Sequence, residues 1–224
     1  MNALQTELER LYPTPDSANG EVRRVVLELA RPASWDDLAK VWQGVQADLG
    51  LPAPGIAVSG TDAYQLWFSL ARPVPFSQAT AFVAGLRKQY LDDIDAGRVS
   101  MPSPASTPPP FEKAPGRWAA FVAPDLASLF VDEPWIDHPP GVDAQAALLS
   151  RLQVIKAEAW AHALARLQPA ATTASATTAS NSPGAPAVRT LDARQFLLDV
   201  MNDPAVDLRL HIEAAKALLP RAGG

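Results

Sequence analysis

The stretch Ser59-Gly60-Thr61-Asp62-Ala63-Tyr64-Gln65-Leu66-Trp67-Phe68-Ser69-Leu70 constrains the chain more than any other. It reads as a loop followed by a strand, and Ala71-Arg72-Pro73-Val74-Pro75 then reads as a proline turn leading into a helix capped by Ser77. Side chains along a strand point alternately to opposite faces. Tyr64, Leu66, Phe68 and Leu70 therefore form one apolar side, while Gln65, Trp67 and Ser69 fall on the other. A short strand at Gly55 to Ser59 precedes it, and Asp62 with its small neighbours suits a tight connection.

The flanking pattern builds a sheet around this strand. Glu21 to Ala30 alternates, with Val25, Leu27 and Leu29 on one side and Val26, Glu28 and Ala30 on the other. Ser34 starts a helix, with Asp37 as its capping-box partner. Leu38, Val41, Trp42, Val45 and Leu49 recur along it, and Gly50 closes it. Phe82, Leu86 and Tyr90 mark a second helix, which ends over Asp92 to Gly97, and Arg98 to Met101 is a further strand. The order predicts an α+β domain with a ferredoxin-like or RNA-recognition-motif-like antiparallel sheet, helices on one face and the other face open. Glu28, Gln65 and Trp67 would share that open face.

Downstream, Pro102 to Pro115 is proline-dense and reads as an irregular surface loop. Arg117 to Val122 reads as a returning strand, and Ala123 to Gly141 as a packed irregular segment. Asp143 caps a predicted long helix with Leu148, Leu152, Ile155 and Ala159 as its stripe. Ala170 to Ala187 is Ala/Thr/Ser-rich without large apolar residues, the composition of a flexible tether. Two short amphipathic helices are expected after it. The expected divisions are an N-terminal arm over 1–20, the main domain over 21–142, a long helix over 143–168, a linker over 169–188 and a helical hairpin over 189–224.

Composition limits the chemistry. The absence of cysteine excludes disulfides, thiolate catalysis and cysteine zinc sites. No run approaches the roughly 20 apolar residues of a membrane span. Met1 to Glu7 lacks a basic region followed by an apolar run, so a cytoplasmic protein is expected. The net charge of −5 requires any nucleic-acid contact to rest on a local patch. Arg72, Arg87 and Lys88 are the candidates for such a patch, or else a solvated helix face. Asp132, Asp137 and His138 lie close in sequence without the defined spacing of a metal site, and His162 and His211 fall in predicted helices.

The segment from Val25 to Leu91 resembles archaeo-eukaryotic primases. That family pairs an Asp-x-Asp strand with a small-residue, Gly, His, apolar-Trp-Phe strand and a proline turn. Here Val26-Leu27-Glu28-Leu29-Ala30 occupies the acid strand, and Leu66-Trp67-Phe68 the apolar-Trp-Phe run. Glu28 stands in for the first acid, Ala30 replaces the second, and Gln65 sits where the histidine is expected. A shift of one residue would put Tyr64 there instead. The resemblance implies a degenerate site at Glu28 and Gln65, with Trp67 available to stack a base. It implies no cofactor. Divalent metal enters only in the alternative, an active nucleotidyltransferase that draws further acids from Asp125 or Asp132. The segment Thr190 to Pro220 resembles phage terminase small-subunit-like proteins, which implies a phage or mobile-element setting. Its two narrow apolar stripes imply docking on a protein partner or self-association through 189–224. Three functional classes follow from the sequence: a non-catalytic accessory protein binding single-stranded nucleic acid or a replication partner, a nucleotidyltransferase, and a protein-interaction module.

Overall fold

A strand whose two sides are both buried over most of its length lies at the centre of the molecule. In this computed structural model, which describes residues 2–13, 20–103 and 106–167, the elements run α1 (Ala3–Leu11), β1 (Glu21–Ala30), α2 (Trp35–Ala47), β2 (Gly55–Val58), β3 (Ala63–Pro75), α3 (Phe76–Tyr90), β4 (Val99–Ser100), β5 (Phe111–Ala114), β6 (Arg117–Val122), α4 (Val142–Ser150) and α5 (Ala157–Leu167). The fold is α+β. The strands form one six-stranded antiparallel sheet in the order β4-β1-β3-β2-β6-β5. The expected linker and hairpin, 169–188 and 189–224, lie outside the described residues.

The first face of the sheet is apolar by alternation and is covered by α2, α3 and α5. Leu27, Leu29, Leu66, Phe68 and Leu70 meet Leu38, Val41, Phe82, Leu86 and Trp160 in one buried cluster. Phe82 sits edge-on to Phe68 at 5.2 Å and tilted against Trp160 at 4.5 Å. α2 begins where the sequence places it. Ser34 accepts from the Asp37 amide at 3.2 Å, while the Asp37 carboxylate turns to Lys40 at 2.9 Å, which holds its carboxyl below the usual range.

Several expectations are corrected. The second face is not open along its length: α1 and α4 cover one half of it. Leu4, Leu11, Tyr12, Ala146 and Leu149 pack there on Val26, Ala57, Trp67 and Phe121. The supposed arm thus contributes a helix, capped by Asn2, whose side chain accepts from the Gln5 amide at 2.8 Å. The long helix over 143–168 is two helices, α4 and α5. Between them the Ile155 amide donates to the Ser69 carbonyl at 2.8 Å, and the Ala71 amide donates to Ile155 at 2.9 Å. β2 pairs with β3 only as far as Gly55 opposite Trp67, so these β3 groups need another partner. That demand overrides the helical spacing of Leu152 and Ile155. The proline turn continues β3, with Val74 opposite Val22 after a register shift. Ser77 is not the cap of α3, which starts one residue earlier at Phe76 without a side-chain cap. The proline-dense loop contains β5, and the Arg98 to Met101 strand shortens to Val99–Ser100.

Candidate functional site

Register places one row of residues across five strands. Phe121 lies opposite Ala57, Ala57 opposite Gln65, Gln65 opposite Glu28, and Glu28 opposite Ser100. In the next row Trp67 lies between Gly55 and Val26. Alternation sends Glu28, Gln65 and Trp67 to the second face, as the sequence predicts. What they meet there differs along its length.

In the covered half Trp67 is only 2% exposed. Its ring stands edge-on to Tyr12 at 5.3 Å and to Phe121 at 5.9 Å, and Tyr12 stacks on Phe121 at 5.7 Å. Buried polar groups are matched here. The Ser69 hydroxyl donates to the Leu11 carbonyl at 2.6 Å, and Arg24 donates to the Tyr12 carbonyl at 3.3 Å. Gln145 on α4 is buried and clamps the outward backbone of Phe121. Its carbonyl oxygen accepts from the Phe121 amide at 2.9 Å, and its amide donates to the Phe121 carbonyl at 2.8 Å. β5 ends before it can supply those bonds. Burial raises the Tyr12 phenol well above its ordinary pKa.

In the uncovered half the same face forms a polar hollow of about 550 Å³. Glu28, Gln65, Ser59, Ser100, Phe111 and Lys113 contribute to its lining. Gln65 Nε2 donates to Glu28 Oε2 at 2.6 Å, and the Ser100 hydroxyl donates to Glu28 Oε1 at 3.3 Å. Trp67 Nε1 donates to Gln65 Oε1 at 2.9 Å. The indole ring thus belongs to the covered half while its N–H enters the hollow and fixes the Gln65 amide, which in turn holds Glu28. Both carboxylate oxygens are engaged, yet each retains the capacity to accept a further hydrogen bond.

The wall of the hollow depends on a close approach. Ser59 Oγ accepts from the Thr61 and Ala63 amides at 3.2 and 3.0 Å, which shapes the β2–β3 turn. Gly60 in that turn has φ +81°, and a Cβ there would lie 2.7 Å from Lys113 Cβ and 3.0 Å from the Ala119 amide nitrogen. Only glycine lets the β5–β6 hairpin close over the turn.

The remaining expected site residues are not brought together. Arg87 and Lys88 lie on α3, which packs against the first face, and Arg72 is exposed on the distal part of β3. The basic residue at the hollow is instead Lys113, and its aromatic is the half-buried Phe111. Both fall within the proline-dense segment expected to be an irregular loop, and Phe111-Glu112-Lys113-Ala114 lacks the apolar/polar alternation that would signal a strand. Trp67 is packed as a core aromatic against Tyr12 and Phe121 and does not present a ring face for stacking. Asp125 lines a separate, largely apolar groove of about 270 Å³ beside Trp42 and Pro54. Asp132 acts on the Tyr64 hydroxyl, which belongs to the first face, and burial pushes that phenol up to about 12. Asp137 accepts from Trp135 Nε1 at 3.1 Å, and His138 and His162 are exposed. Among the described residues no three His, Asp or Glu side chains are grouped to hold a metal ion, and no helix is long and apolar enough to cross a membrane. Compared with family models, curated proteins and solved structures, the chain matches none.

Proposed function

We propose that the protein is a non-catalytic, primase-like accessory protein of a phage or mobile element that binds a single-stranded nucleic-acid segment in the hollow over Glu28 and Gln65. The observation that carries this reading is the Trp67–Gln65–Glu28–Ser100 hydrogen-bond chain, which presents a fixed carboxylate and amide in a polar, solvent-open cavity. The order β4-β1-β3-β2, with α2 and α3 over one face, supports a ferredoxin/RRM-like arrangement extended by β6 and β5. In this reading Glu28 accepts from a base amino group, Lys113 contacts a phosphate, and Phe111 supplies the stacking surface that Trp67 does not. Two-metal phosphoryl transfer requires several hard oxygen ligands. Glu28 is already held by two neutral side chains, and Ala30 adds no oxygen, which favours binding over catalysis.

The test is fluorescence anisotropy with labelled single-stranded DNA and RNA. Phe111→Ala is expected to weaken binding by about 1–3 kcal/mol, the worth of one stacked base. Lys113→Ala is expected to weaken it uniformly across sequences and lower the salt slope by about one. Unchanged binding in both variants sinks the hollow as the site. Nucleotide incorporation with manganese is expected to be undetectable, and robust incorporation would establish the nucleotidyltransferase alternative instead.

A further inference from the structure

The exposed large apolar side chains are not scattered. Of the five that are exposed among the described residues, Leu126, Leu129 and Val131 fall within a single short stretch, at 48%, 72% and 42% exposure. They sit on and beside the 3-10 turn Ala127–Phe130, in which residues three apart eclipse one another. Ala127 and Phe130 form its inner side: Ala127 is fully buried, its carbonyl accepts from the Tyr64 hydroxyl, and Phe130 packs against the main core. Leu126 and Leu129 form its outer side. The turn is held within itself and by the segment that follows it. The Leu129 amide donates to Leu126 at 3.0 Å, the Gly60 amide donates to Pro134 at 3.1 Å, and Trp118 and Ile136 exchange bonds of 2.9 and 3.0 Å. A fixed knuckle therefore carries two leucines into solvent, where a patch of that kind marks an interaction site.

Charge identifies the occupant. From Trp118 to Ser150 the chain has Asp125, Asp132, Glu133, Asp137 and Asp143 and not one lysine or arginine. Arg117, over the Trp135 ring at 4.1 Å, and Arg151, in the groove beside Asp125, bound this stretch, while Asp132 and Glu133 stand without a cation in their own segment. Asp125, Asp132 and Glu133 flank the leucines directly and are exposed. An anionic rim repels nucleic acid and attracts a cationic partner.

We infer that the Leu126–Leu129 knuckle with its rim of Asp125, Asp132 and Glu133 docks a basic amphipathic segment of another protein, leucine-like side chains covering the knuckle and lysines or arginines reaching the rim. This surface is distinct from the hollow over Glu28 and does not depend on what binds there.

The probe is a fluorophore-labelled leucine–lysine peptide with its leucines at helical spacing. Its control replaces every leucine by serine and keeps the lysines. Full-length protein is expected to bind the first peptide and not the second. Leu126→Ser with Leu129→Ser is expected to weaken binding at least about tenfold. Asp132→Asn with Glu133→Gln is expected to weaken it and flatten its salt dependence. Phe76→Ser, an exposed aromatic elsewhere at 44%, is expected to change nothing. Equal binding of both peptides, or wild-type binding by the two double variants, overturns the inference. So does a mass in light scattering that doubles for the wild type and returns to the monomer in the leucine variant, because the knuckle would then serve self-association.

Discussion

The two halves of the second sheet face share β1 and β3 and differ in what arrives from outside. β1 contributes Val26 to one half and Glu28 to the other, and β3 contributes Trp67 and Gln65. Over Val26 and Trp67 lie α1 and α4. Glu28 and Gln65 instead open onto the hollow that Phe111 and Lys113 of the β5–β6 hairpin help to line. Along β1 and β3 a step of one register row therefore separates packing from presentation, while Ala57 and Phe121 in the Gln65 row stay packed. The lesson is that alternation assigns a side chain to a face, while burial on that face is decided by distant segments. Trp67 spans the boundary, with its ring on one side and its N–H on the other.

Alkaline titration probes the covered regions with the largest effect, because it removes the whole fold. Burial raises the pKa of all three tyrosines: Tyr12 under α1, Tyr64 on the first face to about 12, and Tyr90 between α2 and α3. A raised folded-state pKa means that the folded protein keeps the proton longer than the unfolded chain. Stability is therefore intact below about pH 10, the ordinary phenol value, and falls as pH rises toward the folded-state values. Tyrosinate absorbance is expected to appear together with unfolding in one steep step. A separate early step involving a single tyrosine would place that residue in water.

Trp67→Ala comes next. It empties the centre of the covered half and is expected to cost about 3–5 kcal/mol, read as a lower urea midpoint. It also releases the Gln65 amide, so stability and ligand binding fall together. A variant that keeps wild-type stability while losing binding would break the division drawn here, because the ring would then face ligand.

The smallest stability effect belongs to the uncovered half. Glu28→Gln removes a charge that is open to solvent and keeps a polar group for Ser100 and Gln65. It is expected to shift stability by less than about 1 kcal/mol while reducing binding of a donor-bearing base. A large loss of stability would show that Glu28 holds the sheet together.

Much of the frame was readable from residue spacing. β1 and β6 fall at Glu21–Ala30 and Arg117–Val122 as alternation places them, and Ser34 caps α2. The shared face of Glu28 and Gln65 also follows from alternation, because both project to the side opposite an apolar set, while their direct pairing is set by register. α1 was missed although Leu4, Leu8 and Leu11 recur at helical spacing; a short amphipathic helix has no local signal for the surface that it covers. The break between α4 and α5 was hidden because Leu148, Leu152 and Ile155 keep helical spacing, while the competing pull is a backbone pairing to Ser69 and Ala71, far away in sequence. Lys113 and Phe111 were obscured by the prolines around them. In each case the missing information is the identity of a distant partner.

Gln145 has a consequence for how the molecule behaves in a crowd. An unpaired stretch of strand backbone is a template on which another chain can add itself, and from there a fibril can grow. β6 would offer such a template beyond the end of β5. The side-chain amide on α4 presents one acceptor and one donor at the spacing of a neighbouring strand and occupies the position first. The amide thus closes the part of β6 that β5 leaves unpaired, and the strands at the two borders, β4 and β5, are only two and four residues long, too short to template a long partner strand.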